Sequence, residues 1–195
     1  MRYDAEHKQR THEKVVKAAA QAIRAKGPDG VAVAGIMAQA GLTHGGFYAH
    51  FASKDDLVAA AIDQMFSESR TRLIRETENR APRVALSSYL DFYLSTAHRD
   101  ARRSGCPLAA LSSDLPRMSN KARAAFASGR QRLVQSLGKL LGELDYEASI
   151  DAAQSMYAEM LGALSLARIE PDEKSSDAIL RASRDAIRHR FDLEK

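Results

Sequence analysis

Residues 41–57 read Gly41-Leu42-Thr43-His44-Gly45-Gly46-Phe47-Tyr48-Ala49-His50-Phe51-Ala52-Ser53-Lys54-Asp55-Asp56-Leu57. Gly41 permits the positive φ of a sharp turn. Thr43 suits the N-cap of a short helix over 44–51. Phe47 and Phe51 are i,i+4 neighbours, so both face one side of that helix. Ser53 suits the cap of a following helix, and Asp55 and Asp56 fall in its first turn, where the helix dipole favours negative charge. A short helix over 33–40, with Val33, Ile36 and Met37 inward, precedes the turn. The layout is a helix-turn-helix whose second helix is presented outward. An outward helix flanked by Tyr48, His50 and Lys54 is what a DNA major groove accepts.

The same periodicity extends in both directions. Val15, Val16, Ala19, Ala22 and Ile23 form one apolar stripe of a helix over 8–26, which Gly27-Pro28 ends. Downstream, helices are expected over 54–79, 83–101, 106–111, 120–142 and 147–168, and from a cap at Ser175 or Ser176 to 191. The prediction is an all-α protein of about nine helices, with no strand-like alternation and no internal repeat. The boundary between its two parts falls inside the helix that begins at Lys54. A DNA-binding domain over 1–54 and a helical ligand-binding and dimerisation domain over 55–195 are expected.

Composition agrees. Hydrophobic residues make up 45% and charged residues 28% of 195 residues, a soluble globular balance. No apolar run of membrane-spanning length exists, and the N-terminus lacks the apolar core of a signal peptide. The one cysteine, Cys106, has no partner for an internal disulfide. A cytoplasmic protein with no membrane partner is expected. Residues 1–54 hold eight Lys/Arg against four Asp/Glu, whereas residues 55–195 hold 21 of each. The whole basic excess lies in the segment with the helix-turn-helix, as does His50 among four of the six histidines. That points to a polyanionic partner at this end.

The stretch Ala40-Gly41-Leu42-Thr43, with Gly45, Tyr48, His50-Phe51, Ser53-Lys54 and Leu57, resembles the signature of the TetR family of transcriptional regulators. The match covers residues 9–57, and helix number and order agree beyond it. Gly105-Cys106-Pro107-Leu108-Ala109-Ala110-Leu111 is similar to a segment found in a subset of that family, and the chain as a whole resembles its AcrR-like members. The resemblance implies a homodimer that binds a palindromic double-stranded operator, usually represses, and is released by a small molecule in the C-terminal part. It places DNA contacts at Thr43, His44, Gly45, Gly46, Tyr48, His50 and Lys54. One departure stands out. The family commonly opens the second helix with Ser or Thr and has a basic residue two positions on, where this chain has Ala32 and Ala34. Lys8, Arg10, Lys14 or Lys17 would then carry part of the phosphate load.

The effector site is expected between the helices from 54 to 168, with Met65, Tyr89, Phe92, Tyr93, Cys106, Phe126, Met156, Tyr157 and Met160 as candidate lining. Their methionine and aromatic character suggests an apolar or aromatic effector. Cys106 follows a helix-stopping glycine and Arg102-Arg103, and opens a helix whose dipole would activate a thiol. A second reading therefore makes the protein a thiol-based sensor of electrophiles or oxidants, set against a plain buried cysteine. Gly162, Ala163 and Ala167 are small enough for close helix approach across a dimer, with packing inside one chain as the competing reading. No cofactor, metal or catalytic residue is expected. Cys106, His98 and Asp100 lie close in sequence, but no metal-ligand spacing, phosphate loop or nucleophile elbow accompanies them. The rival outside DNA binding is a helical adaptor that uses the fold only to dimerise.

Overall fold

The computed structural model describes residues 2–193, with side chains from residue 6 onward. Among these residues the fold is all α-helical, with no strand. The order is α1 (Arg2–Lys26), α2 (Val33–Gln39), a 3-10 turn His44–Ala49, α3 (Lys54–Thr77), α4 (Pro82–Tyr93), α5 (Thr96–Asp100), α6 (Pro107–Leu111), a 3-10 turn Leu115–Arg117, α7 (Asn120–Gly142), α8 (Ser149–Ile169) and α9 (Glu173–Arg190).

The long helix α3 packs against α1, α4 and α7, α7 packs on α8, and α8 on α9. Val15, Ala19 and Ile23 of α1 are buried against this core, as the stripe required. Gly27 takes φ 73° and Gly41 φ 77°, the left-handed turns that end α1 and α2. Leu42 is half-buried and donates its N–H to the Met37 carbonyl at 2.9 Å, closing the tight connection to the 3-10 turn. Ser53 Oγ accepts the Asp56 N–H at 3.1 Å and so fixes the first turn of α3.

Four details differ from the sequence expectation. The segment at 44–51 is a 3-10 turn over His44–Ala49 and not an α-helix, because the Gly45-Gly46 pair disfavours regular helix. The helix expected over 83–101 breaks at Leu94-Ser95. Ser95 Oγ accepts the His98 N–H at 3.1 Å and donates to the Phe92 carbonyl at 2.8 Å, which ends one helix and starts the next. Asp172, not Ser175 or Ser176, caps α9 by accepting the Ser175 N–H at 2.8 Å. Ser176 is buried and donates to the Ala167 carbonyl at 2.7 Å. Ala163 and Ala167 face the chain's own interior, whereas a Cβ at Gly162 would meet open space.

Close approach of α7 to α3 depends on Gly129. A Cβ there would overlap the Phe66 ring, which is already held edge-on by Phe126 at 5.2 Å between centroids. Gly35, exposed on α2, has nothing around its missing Cβ. Gly129→Ala is therefore expected to destabilise by about 1–3 kcal/mol despite its better helix propensity. Gly35→Ala is expected to stabilise by up to about 1 kcal/mol. Urea unfolding of the two variants checks the opposite signs.

Candidate nucleic-acid interface and effector cavity

The 3-10 turn carries its apolar side inward and its polar side outward. Phe47 and Phe51 are buried, stacked at 5.6 Å, and His12 of α1 lies on Phe51 at 4.6 Å. Thr43, His44, Gly45, Tyr48 and Lys54 are exposed together on the other side, Tyr48 by 72%. Gly46 is half-buried, 3.7 Å from Met37 Cε if given a Cβ. Thr43 makes no capping bond, so its hydroxyl is not spent on the turn. Neither glycine has positive φ, and a Cβ on Gly45 would touch nothing in the protein. The fold itself does not require glycine at 45.

His50 differs from its neighbours. It is half-buried beside Phe51 and His12, and its Nδ1 is sealed off without a partner. Burial first, then the nearby His12 and Lys8, hold it below the usual imidazole range. His50 therefore adds less positive charge in mild acid than an ordinary histidine would. Lys8, Arg10, Lys14 and Lys17 are all exposed along α1.

The second feature is a cavity of about 430 Å³ beneath α4 and α5. That is ample for a small organic molecule. Of the residues expected from sequence, Tyr89, Phe92, Tyr93, Cys106 and Tyr157 line it. Met65, Phe126, Met156 and Met160 do not: they are buried core packed elsewhere among α3, α7 and α8. Periodicity placed them inward, but only the tertiary fold decides which inward residues meet a void. The sequence reading missed the polar wall, formed by Glu68, Ser69 and Arg72 of α3, His98, and Ser104-Gly105. Glu68, Ser69 and Arg72 recur at i,i+1,i+4 on one helix face, a signal hidden within an ordinary charged helix. Arg72 lies over the Phe92 ring at 4.6 Å from its centroid, and Phe92 stacks on His98 at 4.9 Å. The cavity is aromatic on its floor and charged along one side.

Cys106 is buried in the cavity wall with 4% exposure. The Tyr93 hydroxyl donates to its Sγ at 3.1 Å, and the Tyr157 hydroxyl lies 3.6 Å away. Burial pushes the Tyr89, Tyr93 and Tyr157 phenols up, so they stay protonated and able to donate. The helix that Cys106 opens has only five residues, a weak dipole compared with the one expected. Arg102 and Arg103 are exposed, and Arg102 donates to the Arg168 carbonyl instead of facing the thiol.

His98 is bonded on both ring nitrogens. Nδ1 lies 2.7 Å from the Tyr93 carbonyl, which only accepts, so Nδ1 carries the proton. Nε2 accepts the backbone N–H of Cys106 at 3.1 Å. Its lone pair is therefore not available to the thiol, and Asp100 pairs with Arg99 at 2.8 Å. The three residues close in sequence do not form a nucleophile, base and orienter. Among the described residues no cluster of metal-ligand type is present either.

Residues 15–61 match the sequence profile of bacterial regulatory proteins of the tetR family. Over these residues the chain carries the N-terminal domain of the tetR family. No curated protein sequence matches it. Among solved structures it resembles the reduced form of Escherichia coli NemR, at 22% identity over 92% of this chain and 95% of that one, with a TM-score of 0.80. A TetR regulator from Chloroflexus aurantiacus matches at 23% identity over 93% and 94%, TM-score 0.79. One from Agrobacterium tumefaciens matches at 22% over 92% and 98%, TM-score 0.77. At these identities the structural likeness is one of fold.

Within this TetR-family domain the departure at α2 is visible. Ala32 occupies the N-cap with no side-chain bond, and only its carbonyl serves the helix, taking the Gly35 and Ile36 N–H groups at 3.0 and 3.2 Å. Ala32 and Ala34 are both exposed.

Burial, 5% exposure in all, lowers His98 to about 4 from its ordinary 6.5. The unfolded chain binds a proton between those values and the folded chain does not. The contribution is complete above pH 6.5 and is lost as pH falls toward 4. About 2 kcal/mol of stability should disappear between pH 7 and 5 through this residue alone. Urea unfolding at both pH values should show His98→Gln losing less stability than the wild type by that amount; an equal loss would contradict the assignment.

Proposed function

We propose that the protein is a ligand-responsive transcriptional regulator, acting as a repressor. It binds a palindromic operator as a homodimer and leaves it when a small molecule occupies the cavity. Residues 1–54 form the DNA-binding domain and 55–195 the domain that binds effector and partner. The observation that carries this reading is the exposed face of Thr43, His44, Gly45, Tyr48 and Lys54 on a 3-10 turn whose other face is core. Thr43 and His44 would meet base edges or phosphates, and Tyr48 and Lys54 phosphates. The bare Gly45 lets the backbone approach the duplex, and Gly46 extends it. His50 is a weaker candidate than the rest because its ring is half-covered. Two such turns must sit one DNA turn apart, roughly 34–36 Å, to enter successive grooves.

The dimer surface in this reading lies on α8 and α9. Ala158, Gly162, Leu166 and Ile169 make a stripe along α8, with Leu166 54% and Ile169 76% exposed. Its small residues allow close approach of a second copy. This stripe replaces the Ala163 and Ala167 pair, which is spent inside the chain.

For the effector, the aromatic floor and charged side wall favour a small aromatic molecule with polar substituents. A second reading, thiol sensing, is favoured by one observation: the Cys106 Sγ sits in the cavity wall within reach of two phenols that can donate to it. One of the similar structures is described as a reduced form, which supports the same direction.

Gel shifts with the DNA upstream of the protein's own gene test the main reading. Wild type should bind, Tyr48→Ala should weaken binding at least tenfold, and Gly45→Ala should weaken binding while keeping or raising the melting temperature, since the added methyl meets nothing in the protein. Equal affinity for all three would remove DNA recognition from this face, and a failure of wild type to bind any promoter fragment would favour the dimerisation adaptor. For the thiol reading, iodoacetamide joins its methylene carbon to Sγ, breaking the carbon–iodine bond and releasing iodide together with the thiol proton. Treated wild type should lose operator affinity and Cys106→Ser should not; an identical response in both would leave only the non-covalent effector.

A further inference from the structure

Arg24 is a buried cation with no role in the face or in the cavity as so far described. It stands on the last turn of α1, and its side chain is 1% exposed. Nη2 pairs with Glu68 Oε2 at 2.7 Å and donates to the Met65 carbonyl at 3.3 Å. Nη1 donates to the Arg103 carbonyl at 3.4 Å. Nε is buried without a partner. Each partner belongs to the structure around the cavity. Glu68 lines it, and its Oε1 is already taken by Gln64 at 2.9 Å. Met65 lies one turn earlier on α3. Arg103 is joined directly to Ser104-Gly105-Cys106, which line the cavity on another side.

A side chain from the DNA-binding part is thus wedged between two walls of the cavity. A buried guanidinium is tolerated only while its acceptors hold it, and removing one leaves charge without compensation. Such an arrangement does not soften gradually. A molecule that draws Glu68 inward, or pushes 103–106 outward, takes an acceptor from Arg24 and forces α1 to a new position. Residues Val15, Ala19 and Ile23 of α1 share the core with Phe47 and Phe51 beneath the exposed turn.

We propose that Arg24 is the positioning residue that couples occupancy of the cavity to the placement of α1, and through it to the DNA-reading face. The inference rests on the reading of face and cavity given above.

A built-in occupant tests it without knowledge of the effector. Ser69 lines the cavity, and Ser69→Trp places an indole there. The full-length protein is compared as wild type, Ser69→Trp, Arg24→Met and the double variant. Operator affinity is read by gel shift and mobility of α1 by amide hydrogen exchange over residues 15–26. Ser69→Trp should weaken operator binding at least tenfold and raise exchange in α1. In the Arg24→Met background the same indole should change affinity less than twofold and leave exchange unaltered. Equal effects of the indole in both backgrounds, or no effect in the wild type, would overturn the proposal. Should no promoter fragment bind at all, the DNA reading falls while the exchange data still decide the coupling. If Arg24→Met fails to fold, Arg24→Met with Glu68→Gln, which removes both charges of the pair together, takes its place as the background. Ala101→Trp does the same for the indole.

Discussion

Everything in this fold is referred to α3. Its 24 residues span about 36 Å at 1.5 Å per residue. Its first turn is capped by Ser53, directly after the exposed turn. Leu57, Ala61 and Ile62 are fully buried near that end, and Phe66 is covered where α7 crosses at Gly129. Glu68, Ser69 and Arg72 then form the charged wall of the cavity. Close-packed interfaces do not deform continuously, so α3 is held in one position against α1, α4 and α7. Lys54 beside the exposed turn and Glu68 of the cavity wall stand 14 positions apart on this one helix. The ion pair between Lys121 of α7 and Asp56 of α3 adds a second tie between the C-terminal bundle and the capped end.

The parts of the molecule legible in the sequence are those fixed by neighbours in the chain. Gly27 and Gly41 announced left-handed turns, Ser53 announced a cap, and Phe47 with Phe51 announced which side of the turn is core. What escaped was set by residues far apart. Ser95 looks like any polar residue in a helix until its two bonds, to His98 N–H and the Phe92 carbonyl, break that helix. Helix α8 is rich in apolar and small residues on several faces, so periodicity did not say whether Ala163 or Gly162 points outward. The cavity's polar wall was invisible for the same reason: Glu68 and Arg72 read as a solvated helix face. Arg24 stands beside Lys26 at the end of a helix, where a solvated cation is ordinary, and its burial rests on Glu68, 44 positions away.

The segment 101–106 shows why the cavity wall is the adaptable part. Cys106 is its apolar anchor, and the rest is held by polar bonds from three separate helices. Arg24 of α1 holds the Arg103 carbonyl, while His98 of α5 holds the Cys106 N–H. Arg102 donates to the Arg168 carbonyl of α8 at 3.2 Å, and the Arg168 side chain closes over Gly105, where a Cβ would strike it. Hydrogen bonds are directional and fail over a few tenths of an ångström, whereas apolar contacts slide. A wall held this way has one well-defined position and few intermediate ones. The cavity, the Cys106 thiol and the buried cation of α1 meet at this wall, so the switch proposed above would act here.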